Sequence, residues 1–142
     1  EQSIDSLKKF RGVKRRMDLV ADISNIKVYD DFAHHPTAIK MSSNCIKDKY
    51  PTKKILGIVE LGSNTMSSGY HKDNLIESLK ILDKTLLLDH NSAYDYLNTF
   101  DSEEKMLDFI RTEILEYDII LIMTNKDSQK FIKPILDCIE NK

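Results

Sequence analysis

Five consecutive apolar residues, Ile55-Leu56-Gly57-Ile58-Val59, stand near the middle of this 142-residue chain. A run without polar alternation is typical of a strand that is covered on both faces, as in parallel sheets. Two further runs follow: residues 85–88, in which three leucines follow Thr85, and residues 119–123, which are again five apolar residues. Together the three runs predict a mostly parallel sheet in the interior of the protein.

Helical patterns separate these strands. Pro36 suits the first position of a helix, because its missing N–H has no partner there, and we expect that helix to run to about Lys47. Asp101 and Glu104 resemble a capping box before a later helix. A C-terminal helix closes the chain, and Pro134 leaves its start open. The apolar residues of the later helices recur at helical spacing: Leu75, Leu79, Leu82, Met106, Phe109, Ile110, Ile114, Ile135, Leu136 and Ile139.

The first part of the chain predicts a hairpin. Apolar residues recur with period two over residues 17–23, which indicates a half-buried strand. Ser24-Asn25 suits a two-residue turn, and residues 26–29 return as an antiparallel strand. The sequence therefore predicts an α/β fold, a Rossmann-like, mostly parallel sheet with helices on both faces and an N-terminal antiparallel hairpin. In such sheets, ligands bind beyond the carboxyl ends of the strands.

Composition places the chain among ordinary globular proteins of one domain. It has 21 Lys and Arg against 23 Asp and Glu, a net charge of −2, and 41% hydrophobic residues. No apolar run approaches the roughly 18–20 residues that cross a bilayer, and the start has no secretory apolar region, so we expect a cytoplasmic protein with no membrane partner. Cys45 and Cys138 are too few for a disulfide framework and fit a reducing compartment.

The most informative stretch, residues 29–37, places two carboxylates and two imidazoles where a strand ends and a helix begins. Asp30 or Asp31 at such a strand end can accept hydrogen bonds from ribose hydroxyls or approach a phosphate-bound metal. Alternatively, the two carboxylates cap the turn while His34 and His35 lie on the surface. A metal site built on the His pair is less favoured, because adjacent residues point in different directions and the sequence offers no third ligand.

Basic and polar stretches extend the candidate site. Four cations stand within residues 11–16, and the planar fork of Arg suits phosphate, although a solvated basic face is the alternative. The net charge and the lack of interleaved aromatic residues argue against nucleic acid. Polar loops over residues 63–69 and 124–127 follow two strands, where they either contact a ligand or cap helices. Because the chain contains neither GxxxxGK[ST] nor GxGxxG, it can supply only part of a nucleotide site.

Two stretches carry a family resemblance: Phe10-x-Gly12-Val13-x-Arg15-Arg16, and then Asp30-Asp31-Phe32-Ala33-His34-His35-Pro36-Thr37-Ala38-Ile39. In this order they resemble the start of the C-terminal domain of the muramyl (Mur) ligases, the ATP-dependent enzymes that form amide bonds in bacterial cell-wall synthesis. Ser63-Asn64-Thr65-Met66 and His71-Lys72-Asp73-Asn74-Leu75 are most similar to the murein peptide ligase branch of that family. The resemblance covers nearly the whole chain.

The resemblance implies a three-domain ligase. Residues 1–142 would form its C-terminal domain, which closes over substrate and ATP, and residues 1–10 would lead in from a missing central domain. The implied reaction joins the tripeptide L-alanyl-γ-D-glutamyl-meso-diaminopimelate to UDP-N-acetylmuramate through an acyl phosphate, in peptidoglycan recycling. ATP and Mg²⁺ would be bound mainly by the central domain, so we expect this domain alone to hold no catalytic residue and no metal ligand.

The same motif match implies particular contacts within this chain. Arg16 resembles the family's Arg that reaches ATP, and Asp31 resembles the Asp near the ribose. The resulting ATP-binding candidates are Arg16, Asp31, His34 and His35. The candidates for contact with the tripeptide are Ser63, Asn64 and Thr65.

The sequence departs from the family pattern at two places on the expected substrate rim. Glu60-Leu61-Gly62-Ser63 stands where murein peptide ligases typically have Glu-Pro-Arg-Ser, so an Arg that could hold a peptide carboxylate is missing. The Gly-rich loop usual after the last strand is replaced by residues 124–130. These departures leave the identity of the peptide open. Two further interpretations stay open as well: a non-catalytic module that binds a nucleotide or muropeptide, and another ligase domain, such as an alanine-adding or folate-polyglutamating one.

Overall fold

A computed structural model of the chain describes residues 16–60, 72–89 and 98–141. Its strands are β1 (Asp18–Ile23), β2 (Ile26–Asp31), β3 (Ile55–Glu60), β4 (Lys84–Leu88), β5 (Thr99–Phe100) and β6 (Ile119–Met123). Its helices are α1 (Pro36–Lys49), α2 (Lys72–Leu79), α3 (Glu103–Glu113) and α4 (Gln129–Glu140), and a short 3₁₀ turn (Ile114–Glu116) follows α3.

The strands form one sheet in the order β1-β2-β6-β3-β4-β5. Only the β1–β2 pair is antiparallel among the strand pairs of the described residues. The last strand, β6, inserts between β2 and β3, with Met123 opposite Asp31 on one side and Val59 on the other. The carboxyl ends of β2, β6 and β3 therefore meet at one edge, and the predicted mostly parallel sheet with an antiparallel strand at its border is confirmed.

Helices cover both faces of the sheet, as predicted. α1 packs beside α2 on one face, and α3 packs beside α4 on the other. The central strands β2, β6, β3 and β4 alternate their side chains between two buried apolar clusters, as Ile58 and Val59 illustrate. This two-sided burial explains why the central strands read as continuous apolar runs rather than as alternating ones.

The N-terminal hairpin is confirmed, with one correction. Ser24 and Asn25 join the strands with φ angles of 53° and 68°. Positive φ at both central residues is the pattern of a type I′ turn, whose twist matches that of the paired strands. The predicted inward alternation is wrong at Leu19, which is 49% exposed, because the register shifts at a bulge between Leu19 and Ala21.

The two helix starts that the sequence predicted agree to within a residue, but Leu82 does not belong to a helix as expected, because α2 ends at Leu79. α1 begins at Pro36 as predicted and continues to Lys49. The N-cap of α3 is Ser102, whose hydroxyl accepts the N–H of Lys105 at 3.3 Å, so the expected cap at Asp101 is wrong by one position. Asp101 instead forms an exposed ion pair with Lys105.

The C-terminal helix contains Pro134 in its interior. The proline removes one backbone donor, a loss that helices tolerate when other interactions outweigh it. Here the compensation comes from one buried apolar face: Phe131, Ile132, Ile135 and Ile139. In residues 16–60, 72–89 and 98–141, none of the helices has both the length and the apolar character needed to cross a membrane.

Candidate functional site

A cavity of about 640 Å³ lies where β2 ends and α1 begins, and we call it the β2–α1 cavity. Its volume falls within the roughly 300–1,000 Å³ typical of small-molecule sites. All four residues that the sequence singled out for ATP line it: Arg16, Asp31, His34 and His35. The other lining residues are Phe32, Ala33, Thr37, Ala38, Met41 and Ser42. The structure thus brings the four candidates into one concave surface.

Asp31 is the most buried of the polar side chains that line this cavity. It ends β2 and is 3% exposed. Its Oδ1 accepts the N–H of Phe32 at 3.0 Å, and its Oδ2 accepts the hydroxyl of Ser42 from α1. Asp31 therefore caps the turn, as the alternative interpretation expected, and also lines the cavity. Because each carboxylate oxygen can accept more than one hydrogen bond, these contacts leave Asp31 able to accept from a ligand hydroxyl.

The two imidazoles lie side by side with different exposures. His34 is half-buried, and its Nδ1 lies 3.0 Å from the carbonyl oxygen of Phe32. Since a carbonyl only accepts, Nδ1 is the donor of this hydrogen bond, and in a neutral imidazole Nε2 would then be the acceptor. His35 is exposed at the N-cap of α1, with its ring centroid 4.3 Å from that of His34. The expectation that both rings lie on the surface holds only for His35.

Charged and apolar groups meet in the β2–α1 cavity. Arg16 is exposed at its border, and a guanidinium is suited to phosphate. Phe32 and Met41, 36% and 67% exposed, add apolar surface that a flat ring or an aliphatic group can cover. A cation, a fixed carboxylate and an apolar surface together suit a molecule that has a phosphate, hydroxyls and an apolar part.

Asp30 takes no part in this cavity. Successive side chains of a strand point to opposite faces, so Asp30 and Asp31 are separated by the sheet. Asp30 is 6% exposed and its Oδ2 accepts the hydroxyl of Ser128, directly before α4, at 2.9 Å. The expectation that both carboxylates stand at one mouth is therefore wrong, and the β alternation is the physical reason.

A buried ionic cluster occupies the same edge of the sheet on the α3–α4 face. Glu60 ends β3, is 1% exposed, and accepts the hydroxyl of Thr124 at 2.8 Å. Its other oxygen pairs with the ammonium of Lys130 in α4. Lys130 Nζ also lies 3.9 Å from Oε2 of Glu103. We call Glu60, Thr124, Lys130 and Glu103 the Glu60–Lys130 cluster.

The predicted contacts with the tripeptide lie in a part of the chain that the structure does not describe. Ser63, Asn64 and Thr65 lie outside the described residues, as do the basic residues before Arg16. In the part of the chain that the structure describes, no three His, Cys, Asp or Glu side chains are grouped as metal ligands. We therefore assign no Mg²⁺ ligand to these residues.

Sequence reasoning missed several residues of both sites. Thr37 and Met41, like Ala38 and Ser42, are four positions apart in α1 and so share one helix face. That spacing could have identified them once Pro36 had set the helix start. Glu60 and Lys130 are 70 residues apart, and no local pattern indicates that they meet.

Comparison with known proteins shows which family the sequence matches. Residues 15–126 match the family described as Mur ligase, glutamate ligase domain. A UDP-N-acetylmuramate–L-alanyl-γ-D-glutamyl-meso-2,6-diaminoheptandioate ligase from Haemophilus influenzae is 30% identical over 158 residues, covering 100% of this chain and 34% of that protein. A UDP-N-acetylmuramate–L-alanine ligase from Hydrogenobaculum is 38% identical over 97 residues, covering 68% of this chain and 21% of that protein.

A solved structure supports the same family by its fold. The crystal structure of a murein peptide ligase from Psychrobacter arcticus superposes with a TM-score of 0.73 at 31% identity, covering 91% of this chain and 30% of that one. The chain thus spans about a third of the length of the Haemophilus and Psychrobacter proteins. Because the family match covers most of the chain and the strand arrangement agrees, the chain belongs to the Mur ligase family and has the fold of its C-terminal domain.

Proposed function

We propose that this chain acts within an ATP-dependent ligase that joins L-alanyl-γ-D-glutamyl-meso-diaminopimelate to UDP-N-acetylmuramate, in the cytoplasm and in peptidoglycan recycling. The chain would be the C-terminal domain of a three-domain enzyme, working with N-terminal and central domains of the same polypeptide. The observation that carries the proposal is the β2–α1 cavity, which gathers Arg16, Asp31, His34 and His35. The names of the Haemophilus and Psychrobacter relatives support the choice of substrates.

In this proposal the β2–α1 cavity completes an ATP site that other domains mostly build. Arg16 would neutralise phosphate oxygens, and Asp31, held by Phe32 N–H and Ser42, would accept ribose hydroxyls. His34 would offer Nε2 as an acceptor beside them. Mg²⁺ and the phosphate cradle are left to the central domain. Ser63, Asn64 and Thr65 would contact the tripeptide.

In the proposed reaction, this domain would position ATP and the acceptor rather than supply a catalytic side chain. ATP would phosphorylate the muramyl carboxylate, releasing ADP, and the tripeptide amine would then attack the acyl carbon. The tetrahedral intermediate would expel phosphate as the amine loses a proton and the amide forms. Holding two substrates and ATP in register can supply much of such a rate acceleration. This chain would contribute by fixing the nucleotide and the acceptor on one rim.

A second acceptor is favoured by a specific observation. The Hydrogenobaculum relative, 38% identical over 97 residues, is named as an L-alanine ligase. L-alanine is therefore the alternative acceptor to test. The same assay addresses the remaining alternative, a module that binds a nucleotide or muropeptide without catalysis.

The test is ligation by the natural polypeptide that contains this chain. With ATP, UDP-N-acetylmuramate and either tripeptide or L-alanine, mass spectrometry should detect the tripeptide adduct and an equal amount of ADP. No ATP-dependent adduct with either acceptor would refute the proposed function and favour the binding module. A product with L-alanine alone would correct the acceptor.

Variants test the ATP contacts separately. Arg16→Ala and Asp31→Ala should each lower turnover by at least about tenfold, which corresponds to ~1.4 kcal/mol of transition-state stabilisation. Asp31→Asn keeps the size of the side chain and tests its charge. Lys40→Ala is the matched control, because Lys40 is exposed on α1 but does not line the cavity. Wild-type kinetics in both alanine variants would refute the assignment of ATP to this cavity.

A further inference from the structure

We propose that Ser42 of α1 is a positioning residue that makes the β2–α1 cavity selective for a ribonucleotide. By holding the carboxylate of Asp31, Ser42 would set the preference for ATP over the same nucleotide without ribose hydroxyls. The inference rests on the proposed function, because it takes Asp31 as the acceptor of those hydroxyls. Ser42 would act through Asp31 and would not itself bind the ribose.

The carboxylate of Asp31 is held from two elements of the fold. Its Oδ1 accepts the N–H of Phe32 at 3.0 Å, a hydrogen bond within the turn after β2. Its Oδ2 accepts the hydroxyl of Ser42, which lies 11 residues further along the chain in α1. Because both oxygens are held, the carboxylate cannot rotate about its Cβ–Cγ bond without losing a hydrogen bond. Each oxygen can still accept from a second donor, so the hydroxyls of a ligand can bind there.

Both partners of the Ser42–Asp31 hydrogen bond are anchored in the packed interior. Ile39 and Ile46, both 0% exposed, lie three positions before and four positions after Ser42 in α1. The main chain of Asp31 is fixed against β6, because its carbonyl oxygen accepts the N–H of Thr124 at 3.1 Å. The carboxylate is therefore oriented before a ligand arrives.

The hydroxyl of Ser42 serves Asp31 rather than its own helix. A serine inside a helix commonly donates to the carbonyl four residues earlier or faces water. Ser42 instead is half-buried at the wall of the cavity, with Asp31 as its acceptor. Alanine is the stronger helix former, so Ser42→Ala removes the hydroxyl while it favours α1. This substitution therefore tests the orientation of Asp31 in a helix that is retained.

A fixed carboxylate gives selectivity because it loses its partner when the ribose hydroxyls are missing. A site built to bind a substrate hydroxyl rejects the analogue that lacks it, since the buried polar group is then left unpaired. Asp31 is 3% exposed, so bulk water has little access to replace the lost hydroxyl. Without Ser42 the carboxylate could turn, and ATP itself would have to order it. Ordering one flexible side chain on binding reduces affinity by about twofold to tenfold.

The experiment compares ATP with 2′,3′-dideoxy-ATP in the natural polypeptide. Ser42→Ala should lower kcat/KM for ATP by about threefold to tenfold, but kcat/KM for 2′,3′-dideoxy-ATP by less than about 1.5-fold. Ser42→Thr keeps a hydroxyl and should restore most of the loss. Equal losses with the two nucleotides would overturn the proposal, because a loosened α1 would weaken both.

Ser43→Ala is the matched control, because it removes the same atom from the next residue of α1. Ser43 is 1% exposed, does not line the cavity, and its Oγ has no hydrogen-bond partner within residues 16–60, 72–89 and 98–141. The control should keep kcat/KM for ATP within about 1.5-fold of the wild type. If Ser42→Ala gave the same kcat/KM for ATP as Ser43→Ala, the proposal would be overturned.

A double variant tests whether Ser42 acts through Asp31. When Ser42→Ala is added to Asp31→Ala, kcat/KM for ATP should fall by less than about 1.5-fold further, because the effects of two residues in one contact are not additive. A second full loss would overturn the proposal, since Ser42 would then contact the ligand itself.

Failure of the proposed function would have a different signature. If the wild-type polypeptide joins neither acceptor, calorimetric titration of the same variants with ATP and with 2′,3′-dideoxy-ATP still decides the role of Ser42. Weaker binding of ATP, but not of 2′,3′-dideoxy-ATP, by the Ser42→Ala variant supports the proposal. Equal binding of ATP by the Ser42→Ala and Ser43→Ala variants, or no binding of ATP by any of the proteins, overturns it.

Discussion

Replacing Lys130 by methionine should destabilise the folded chain through the charge that it leaves behind. Methionine has a similar length and helix propensity, so α4 keeps its shape and its packing. Glu60, however, would stay 1% exposed with only the hydroxyl of Thr124 as a described hydrogen-bond partner. The cost therefore comes from an uncompensated buried carboxylate rather than from a cavity.

The expected magnitude follows from the burial of the two partners. Breaking a buried ion pair on one side typically costs about 3–5 kcal/mol. Lys130 is 26% exposed, so water reaches the pair from its side, and we expect about 2–3 kcal/mol. Combining Glu60→Gln with Lys130→Met removes the charge itself and should restore stability to within about 1 kcal/mol of the wild type.

Urea unfolding of the 142-residue chain, followed by circular dichroism, measures these differences. Lys133→Met is the matched control, because Lys133 is exposed on the same helix, and it should change stability by less than about 0.5 kcal/mol. Two results would refute the reasoning. Lys130→Met could prove no more destabilising than Lys133→Met, or the double variant could prove no more stable than Lys130→Met alone.

Three other predictions concern the fold and the nucleotide. Gly57→Ala should cost about 1–3 kcal/mol in the same urea assay, because a Cβ there would lie 2.9 Å from both Leu82 Cδ1 and Thr85 Oγ1 in the interior; a cost below about 0.5 kcal/mol would contradict this packing. Burial, and then the hydrogen bond with Tyr50, raise the pKa of Tyr29 to about 12. An unfolded tyrosine has a pKa of about 10, so above pH 10 the unfolded chain loses this proton while the folded chain keeps it. The free energy of unfolding should therefore fall by on the order of 2 kcal/mol between pH 10 and pH 12. Tyr29→Phe should flatten that slope, and an unchanged slope would refute the assignment. Finally, the chain alone should bind ATP only weakly in calorimetry, because it has no phosphate cradle of its own; micromolar affinity would show that it needs no partner domain.

Much of the architecture follows from local patterns. The apolar run at Ile55–Val59 indicates a strand buried on both faces whatever its neighbours, because no polar residue could face water from it. Pro36 sets the start of α1 through its fixed φ and missing donor. Leu19 shows where such reasoning fails, since a bulge shifts the alternation without leaving a clear mark in the sequence.

The candidate site also has one part that the sequence predicts and another that depends on tertiary packing. Asp31, His34 and His35 are close in sequence, so a strand end followed by a helix start is enough to bring them together. That Ser42 holds Asp31 depends on how α1 packs against the end of β2, which spacing alone does not reveal. The family resemblance supplied the expected role of Arg16, and the structure supplied its position in the cavity.

From the residue order alone, one could therefore derive every strand except the two-residue β5, the positions of the helices, the hairpin turn and the stretch that carries the nucleotide candidates. Only the tertiary structure shows that β6 lies between β2 and β3. It also shows that the side chains of Asp30 and Asp31 lie on opposite faces of the sheet, and that Glu60 pairs with Lys130. The physical reason is the distance along the chain over which each kind of interaction acts. Dihedral preferences and apolar periodicity act over a few residues, whereas strand order and buried charge pairing are settled by contacts between segments far apart in the chain.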